Sequence, residues 1–162
     1  MNTISVEVLG PLRVRDAAGE DVTPRGRLQR RLLAFLALRA GAVVSTDQLT
    51  EVLWPDRTPA NAASLVHSHI FRLRRHVPAL EIDATPAGYV LRLPEGAVDA
   101  AWFEEAVARA AAERAGDPQR ALDGLDAALR SWRGGAFEDL VDVDSGRIEA
   151  ERLDELRLRA VE

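Results

Sequence analysis

Between Gly41 and Leu93 the chain is punctuated at close, fixed intervals by residues that start or stop helices. Those intervals leave room only for two short helices and a hairpin. Ser45-Thr46-Asp47-Gln48 is a capping box, in which Ser45 caps and Gln48 reaches back from three residues on. The helix it opens runs to about Trp54 and is stopped by Pro55. Thr58-Pro59 supplies a cap and a first-turn proline for a second helix, PANAASLVHSHIFRLRRHV, over residues 59–77. Residues 80–84, the turn Pro86-Ala87-Gly88 and residues 89–93 then read as a hairpin.

Upstream, RGRLQRRLLAFLALRA over residues 25–40 places Leu28, Leu32, Phe35 and Leu36 on one helical stripe, and Gly41 ends it. Arg27, Arg30 and Arg31 crowd the start of this helix, where cations oppose its dipole, so a partner is expected for them. Before it, ISVEVL and Leu12-Arg13-Val14-Arg15 alternate as strands, Gly10-Pro11 breaks between them, and Glu20-Asp21-Val22 reads as a third short strand. A small antiparallel sheet, three helices and a hairpin in that order make a winged helix-turn-helix.

Pro94-Glu95-Gly96-Ala97 reads as a linker to an all-α remainder. Asp99 can cap a helix over residues 100–115 with Trp102, Phe103, Ala106 and Val107 inward, and Trp102 can pack between the two units. Gly116 ends that helix. Asp117-Pro118 heads a second, over residues 118–132, with Ala121, Leu122, Leu125, Ala128, Leu129 and Trp132 on one stripe. After Gly134-Gly135, a third helix over residues 146–161 carries Ile148, Leu153, Leu156 and Leu158, with Ser145 as its cap. Small residues between large ones suggest tetratricopeptide-like packing, although one pair plus a lone helix is fewer than the three repeats such arrays use. The last helix is expected to pack back, to dimerise, or to belong to a longer protein. The expected fold is therefore α+β: a winged helix-turn-helix over residues 1–97, with a small N-terminal antiparallel sheet and a C-terminal hairpin wing. A short all-α, tetratricopeptide-like region follows over residues 98–162.

Charge is unevenly distributed. The formal net charge is −5, but residues 1–97 hold 12 Arg against 10 acids and residues 98–162 hold 9 Arg against 16 acids. The first unit is thus weakly basic and the second strongly acidic, which suggests different partners. All 21 basic residues are arginine, whose planar fork suits phosphate or guanine. There is no cysteine, hence no disulfide, thiolate metal site or cysteine nucleophile. No apolar run reaches eighteen residues, and the N-terminus does not read as a secretory signal; a cytoplasmic protein is expected.

In the 59–77 helix, Val66, Ile70, Leu73 and Val77 form the buried stripe. Ser64, Leu65, Ser68, Phe71, Arg72 and Arg75 then face outward, with Arg74 on a flank. A polar, cationic and partly aromatic face suits a helix in the major groove, where Arg pairs with guanine and small side chains allow close approach. The plainer alternative is a solvated amphipathic helix whose terminal arginines complement the dipole.

The run VSTDQLTEVLWPDRTPANAASLVHSHIFRLRRHV followed by PAGYVLRL resembles the OmpR/PhoB-type winged helix, and more narrowly the Streptomyces antibiotic regulatory protein family. That family's pattern has an LLAFLAL-like first helix, VS before a capped second helix, LW followed by Pro, LRR at the end of the recognition helix, and GY in the wing. The match continues through Asp99 to Phe103 and Ser131-Trp132-Arg133-Gly134-Gly135-Ala136-Phe137, which look like the start of the bacterial transcriptional activation domain.

The resemblance implies a promoter-binding transcriptional activator of clustered, secondary-metabolite-type genes, acting on direct repeats in double-stranded DNA. It puts Leu65 and Ser68 at base edges with Arg72, to which the outward geometry adds Ser64. His69, Arg74 and Arg75 fall nearer the phosphates, with Arg25, Arg27 and Arg30 as secondary candidates. Phe71, Thr85 and Tyr89 complete the expected phosphate-side set. Residues 55–58 match the loop that in this fold can touch RNA polymerase, and self-association through residues 98–162 is a further expectation. The chain departs from the family in having Phe71 where many relatives have Ser, no Arg at the wing position near Thr85, and a much shorter activation domain.

Other chemistry is not expected. His67 and His69 point about 200° apart on a helix and so do not share a metal. Asp142-Val143-Asp144-Ser145-Gly146 misplaces the glycine and the bidentate acid of a calcium loop. Ser64 and Ser68 lie near histidines without an oxyanion arrangement, and no glycine-rich phosphate loop is present, so no catalysis and no cofactor are expected. Two rivals remain at this point. One is a non-catalytic protein-interaction module, favoured if Asp47, Glu51 and Asp56 neutralise the arginine face. The other is a truncated regulator that binds DNA without activating.

Overall fold

In the computed structural model, residues 3–162 are described. Strands β1 (Ser5–Glu7) and β2 (Arg13–Arg15) pair antiparallel with Val6 opposite Val14. The expected third strand is reduced to a single bridge between Arg15 and Asp21. Helices α1 (Arg27–Leu38), α2 (Thr46–Leu53) and α3 (Ala62–His76) follow, then the wing strands β3 (Glu81–Thr85) and β4 (Gly88–Arg92). The remainder is helical: α4 (Asp99–Glu113), α5 (Pro118–Leu129), a 3-10 turn at Glu138–Leu140, and α6 (Asp144–Val161). This is the expected α+β order.

Local signals act where the backbone is otherwise unsatisfied. Ser45 and Gln48 form the reciprocal capping box at the head of α2, with Ser45 Oγ accepting from Gln48 N at 3.1 Å. Asp117 caps α5 through Arg120 N, and Pro118 sits in its first turn. Thr58-Pro59 does not head α3. Residues 59–61 form a turn closed by Ala62 N donating to Pro59 O, and the helix begins after it. Gly88 is fixed by crowding: a Cβ there would lie 2.0 Å from Val44 O, because β4 also pairs with the segment before α2 through Val44 and Tyr89. The wing is thereby held against the cap of α2.

One hydrophobic cluster runs through the whole molecule. Val6, Leu9 and Val14 join Leu32, Leu36, Leu49, Val66, Ile70 and Leu73 on one side, and Phe103, Ala128, Trp132, Leu140 and Leu153 on the other. Residues 94–97 do not hang loose, since Val6 N donates to Ala97 O and Val6 bridges Val98. Asp99 does not cap α4. Its carboxylate turns back to accept from Val8 N at 2.7 Å and Leu9 N at 3.2 Å. Residues 133–139 close over the same strand end. Arg133 N donates to Leu9 O and Phe137 N to Val8 O, while Leu12 N donates to Asp139 Oδ2 at 2.7 Å. Phe137 holds a left-handed φ of 50° to do so.

Two arginines of the cluster on α1, Arg30 and Arg31, find acidic partners in the same region. Arg31 is buried, donates to Val52 O, and pairs with Asp142 Oδ1 at 2.6 Å. Four apolar expectations in the helical half are corrected. Trp102, Leu122, Ile148 and Leu158 are exposed, because α4, α5 and α6 each bury only a narrow stripe. Trp132 is buried, edge-on to Phe103 and under the Arg157 guanidinium. The α6 helix starts after Val143 without using Ser145 as a cap, and packs back through Leu153.

Two outcomes follow. Asp99→Ala leaves Val8 and Leu9 N–H groups unpaired, which is expected to lower the unfolding free energy by roughly 1–3 kcal/mol in urea titrations. The Arg31 guanidinium hydrogen-bonded to Asp142 holds that carboxyl below its ordinary range. Its stabilising contribution is therefore present above the ordinary carboxylate value and lost as pH falls through the depressed one. Asp142→Asn should melt below wild type at neutral pH, and the gap should narrow as pH falls below the ordinary carboxylate range. Burial, which raises the Asp99 carboxyl, acts in the opposite sense.

Candidate nucleic-acid interface

Helix α3 buries Ala62, Val66, Ile70 and Leu73, and Val77 closes the stripe below it. The line on the opposite side of the helix is Ser64, Ser68, Phe71 and Arg75. All four are exposed, and Arg72 stands exposed beside them. Leu65 is half-buried on one flank. Ser68 Oγ–H donates to Ser64 O at 3.1 Å, which keeps the side chain close to the helix and its lone pairs outward. The outer face is thus small, apolar and cationic from its start to its end.

The arginines divide sharply. Arg25 and Gln29, at the head of α1, line one cleft of about 550 Å³ with Arg72, Arg75 and His76 at the end of α3. Among the described residues, Arg25, Arg72 and Arg75 form no ion pair, and neither do Asp47, Glu51 or Asp56. No acid therefore pairs directly with this cationic cleft.

Arg30 instead donates to Arg25 O and pairs with Asp139 at 3.4 Å. Arg27 is exposed, and its charge acts on Asp142. Arg74 Nε donates to Ile82 O at 2.9 Å and ties α3 to β3.

Four further members of the expected phosphate set are engaged elsewhere or chemically unsuited. Tyr89 is buried, and its hydroxyl pairs with His67 Nδ1, fixing the wing to α3. Thr85 Oγ1 accepts from Gly88 N at 3.1 Å and shapes the wing turn. His69 is half-buried beside Trp54, with ring centroids 6.2 Å apart. Burial, then the Arg72 charge, depresses its pKa, so it is neutral at pH 7 and offers phosphate no cation. Phe71 has no polar atom to offer a phosphate.

Sequence reasoning missed the His67–Tyr89 pair. Tyr89 belongs to the GY of the wing, but nothing in that motif points to His67, and the two meet because Gly88 brings the wing close. Among the described residues no cluster of His, Cys, Asp or Glu is arranged to hold a metal, and no helix is long and apolar enough to cross a membrane.

These assignments separate by measurement. Arg75→Ala should reduce the slope of log affinity against log salt by about 1 with melting unchanged. Arg74→Ala should lower the melting temperature, because Ile82 O loses its donor, and leave the slope nearly intact.

The family described as "Transcriptional regulatory protein, C terminal" matches residues 21–90, and the "Bacterial transcriptional activator domain" matches residues 98–162. "Regulatory protein DnrI" of Streptomyces peucetius is 34% identical over 98% of this chain and 62% of its own length. "Regulatory protein AfsR" of Streptomyces coelicolor is 36% identical over 96% of this chain and 16% of its own. "Transcriptional regulatory protein EmbR" of Mycobacterium tuberculosis is 34% identical over 83% of this chain and 36% of its own. The chain thus spans less than two thirds of each of these relatives, from 62% of DnrI down to 16% of AfsR. A solved structure of Mycobacterium tuberculosis EmbR, in complex with a low affinity phosphopeptide, superposes with a TM-score of 0.84 at 31% identity, covering 99% of this chain and 44% of that one. With its winged helix, its uncompensated cationic helix face and its matched helical partner, the chain belongs to the Streptomyces antibiotic regulatory protein family of transcriptional regulators.

Proposed function

We propose that this chain is a sequence-specific DNA-binding regulator that activates a cluster of secondary-metabolite-type genes, with α3 in the major groove of direct repeats. The observation that carries this reading is the cleft that joins Arg25 to Arg72 and Arg75 without an acidic partner. Phosphate contacts from Arg25 and Arg75 supply affinity, and base contacts from Ser64, Ser68 and Arg72 supply specificity. Residues 1–97 form the reading unit. Residues 98–162, with their excess of acids, act in protein contacts, namely RNA polymerase or a second copy. The reading is non-catalytic and cytoplasmic.

A fluorescence-anisotropy titration at several salt concentrations tests it, using DNA selected by this chain from a random pool. Wild type should bind tightly with steep salt dependence, and Arg72→Ala should lose about 1–3 kcal/mol on the selected site but little on random DNA. Selection that enriches no sequence would leave a protein-interaction module as the better account.

A further inference from the structure

Phe71 is the one large apolar side chain on the outward line of α3, and it is 62% exposed. It sits in a shallow dish on that face with Ala63, Ser64, His67, Ser68 and Arg72. Ala63, Ser64 and Ser68 on its N-terminal side are small, so the helix backbone can approach a surface closely along that line. The next turn carries Arg75, so that surface is one that attracts cations.

We propose that Phe71 is a specificity-determining residue that reads the C5-methyl group of a thymine in the major groove, next to the base that Arg72 contacts. This rests on the DNA-binding reading above and deepens it. The major-groove edge of unmodified DNA presents one apolar group, the thymine methyl, among donors and acceptors. A phenyl ring opposite the buried stripe of a groove-bound helix points at base edges rather than at the sugar-phosphate walls. It has no hydrogen-bonding atom, so contact with a methyl is the favourable recognition open to it. Arg72, about 100° around the helix, reaches a neighbouring base from the same turn.

The test removes only the methyl. Each thymine of the selected site is replaced singly by deoxyuridine, and the 162-residue chain is titrated by anisotropy. One thymine per half-site should weaken wild-type binding roughly three- to tenfold, the scale of one methyl group leaving water. Phe71→Ser should bind the thymine and uracil sites equally, and Phe71→Leu should keep part of the discrimination. Melting of both variants should match wild type, since the side chain is exposed. Selective binding with uracil effects that are absent, or the same in wild type and Phe71→Ser, overturns this inference and leaves the regulator reading standing. Failure to select any sequence overturns both.

Discussion

The structure depends on how the backbone around β1 is satisfied. Ser5–Glu7 is too short a strand to pair its own continuation, so the polar groups of residues 6–12 need partners at the centre of the core. The helical half provides them. Ala97 O, the Asp99 carboxylate, Arg133 N, Phe137 N and Asp139 each take one or two of these groups. A buried backbone group left unpaired is costly, so the two halves close on each other wherever β1 forms. The glycines fit this closure: a Cβ on Gly10 would crowd Arg133, and one on Gly134 would meet Glu138.

That closure sets the electrostatics of the face shared by α1 and α3. Arg30 and Arg31 are drawn to Asp139 and Asp142 at the head of the last helical segment, and Arg31 also holds the end of α2 through Val52 O. Two of the cations on α1 are therefore structural, and they couple the α1–α2 scaffold to the acidic half. The Arg25 side chain stays outside this network and lines the cleft with Arg72 and Arg75. Arg74 and the His67–Tyr89 pair fix α3 to the two wing strands, so the exposed face is presented by a helix held to the wing at two points along one flank.

Much of this was legible in the chain. The capping box at Ser45, the Asp117-Pro118 start, the stripe of Val66, Ile70, Leu73 and Val77, and the outward Ser64, Ser68, Phe71, Arg72 and Arg75 all follow from period and cap chemistry. Less legible was which cations are free. Arg30, Arg74 and Arg75 are alike as sequence, but Arg30 has an acid from residue 139 and Arg74 a carbonyl from the wing. Asp99 had the position of a cap and became a bridge to β1. Tyr89, next to a wing turn, is buried by the glycine before it.

Periodicity and punctuation determined the elements, their order and the outward line of α3, because those depend on interactions within about four residues along the chain. Resemblance in motifs set the family. The tertiary structure alone decided which arginines stay without an acidic partner, that Trp102, Leu122, Ile148 and Leu158 stay in solvent, and that the two halves share one core. Those outcomes turn on partners up to 127 residues away, such as Asp139 for Leu12, and spacing along the chain does not encode such a partner.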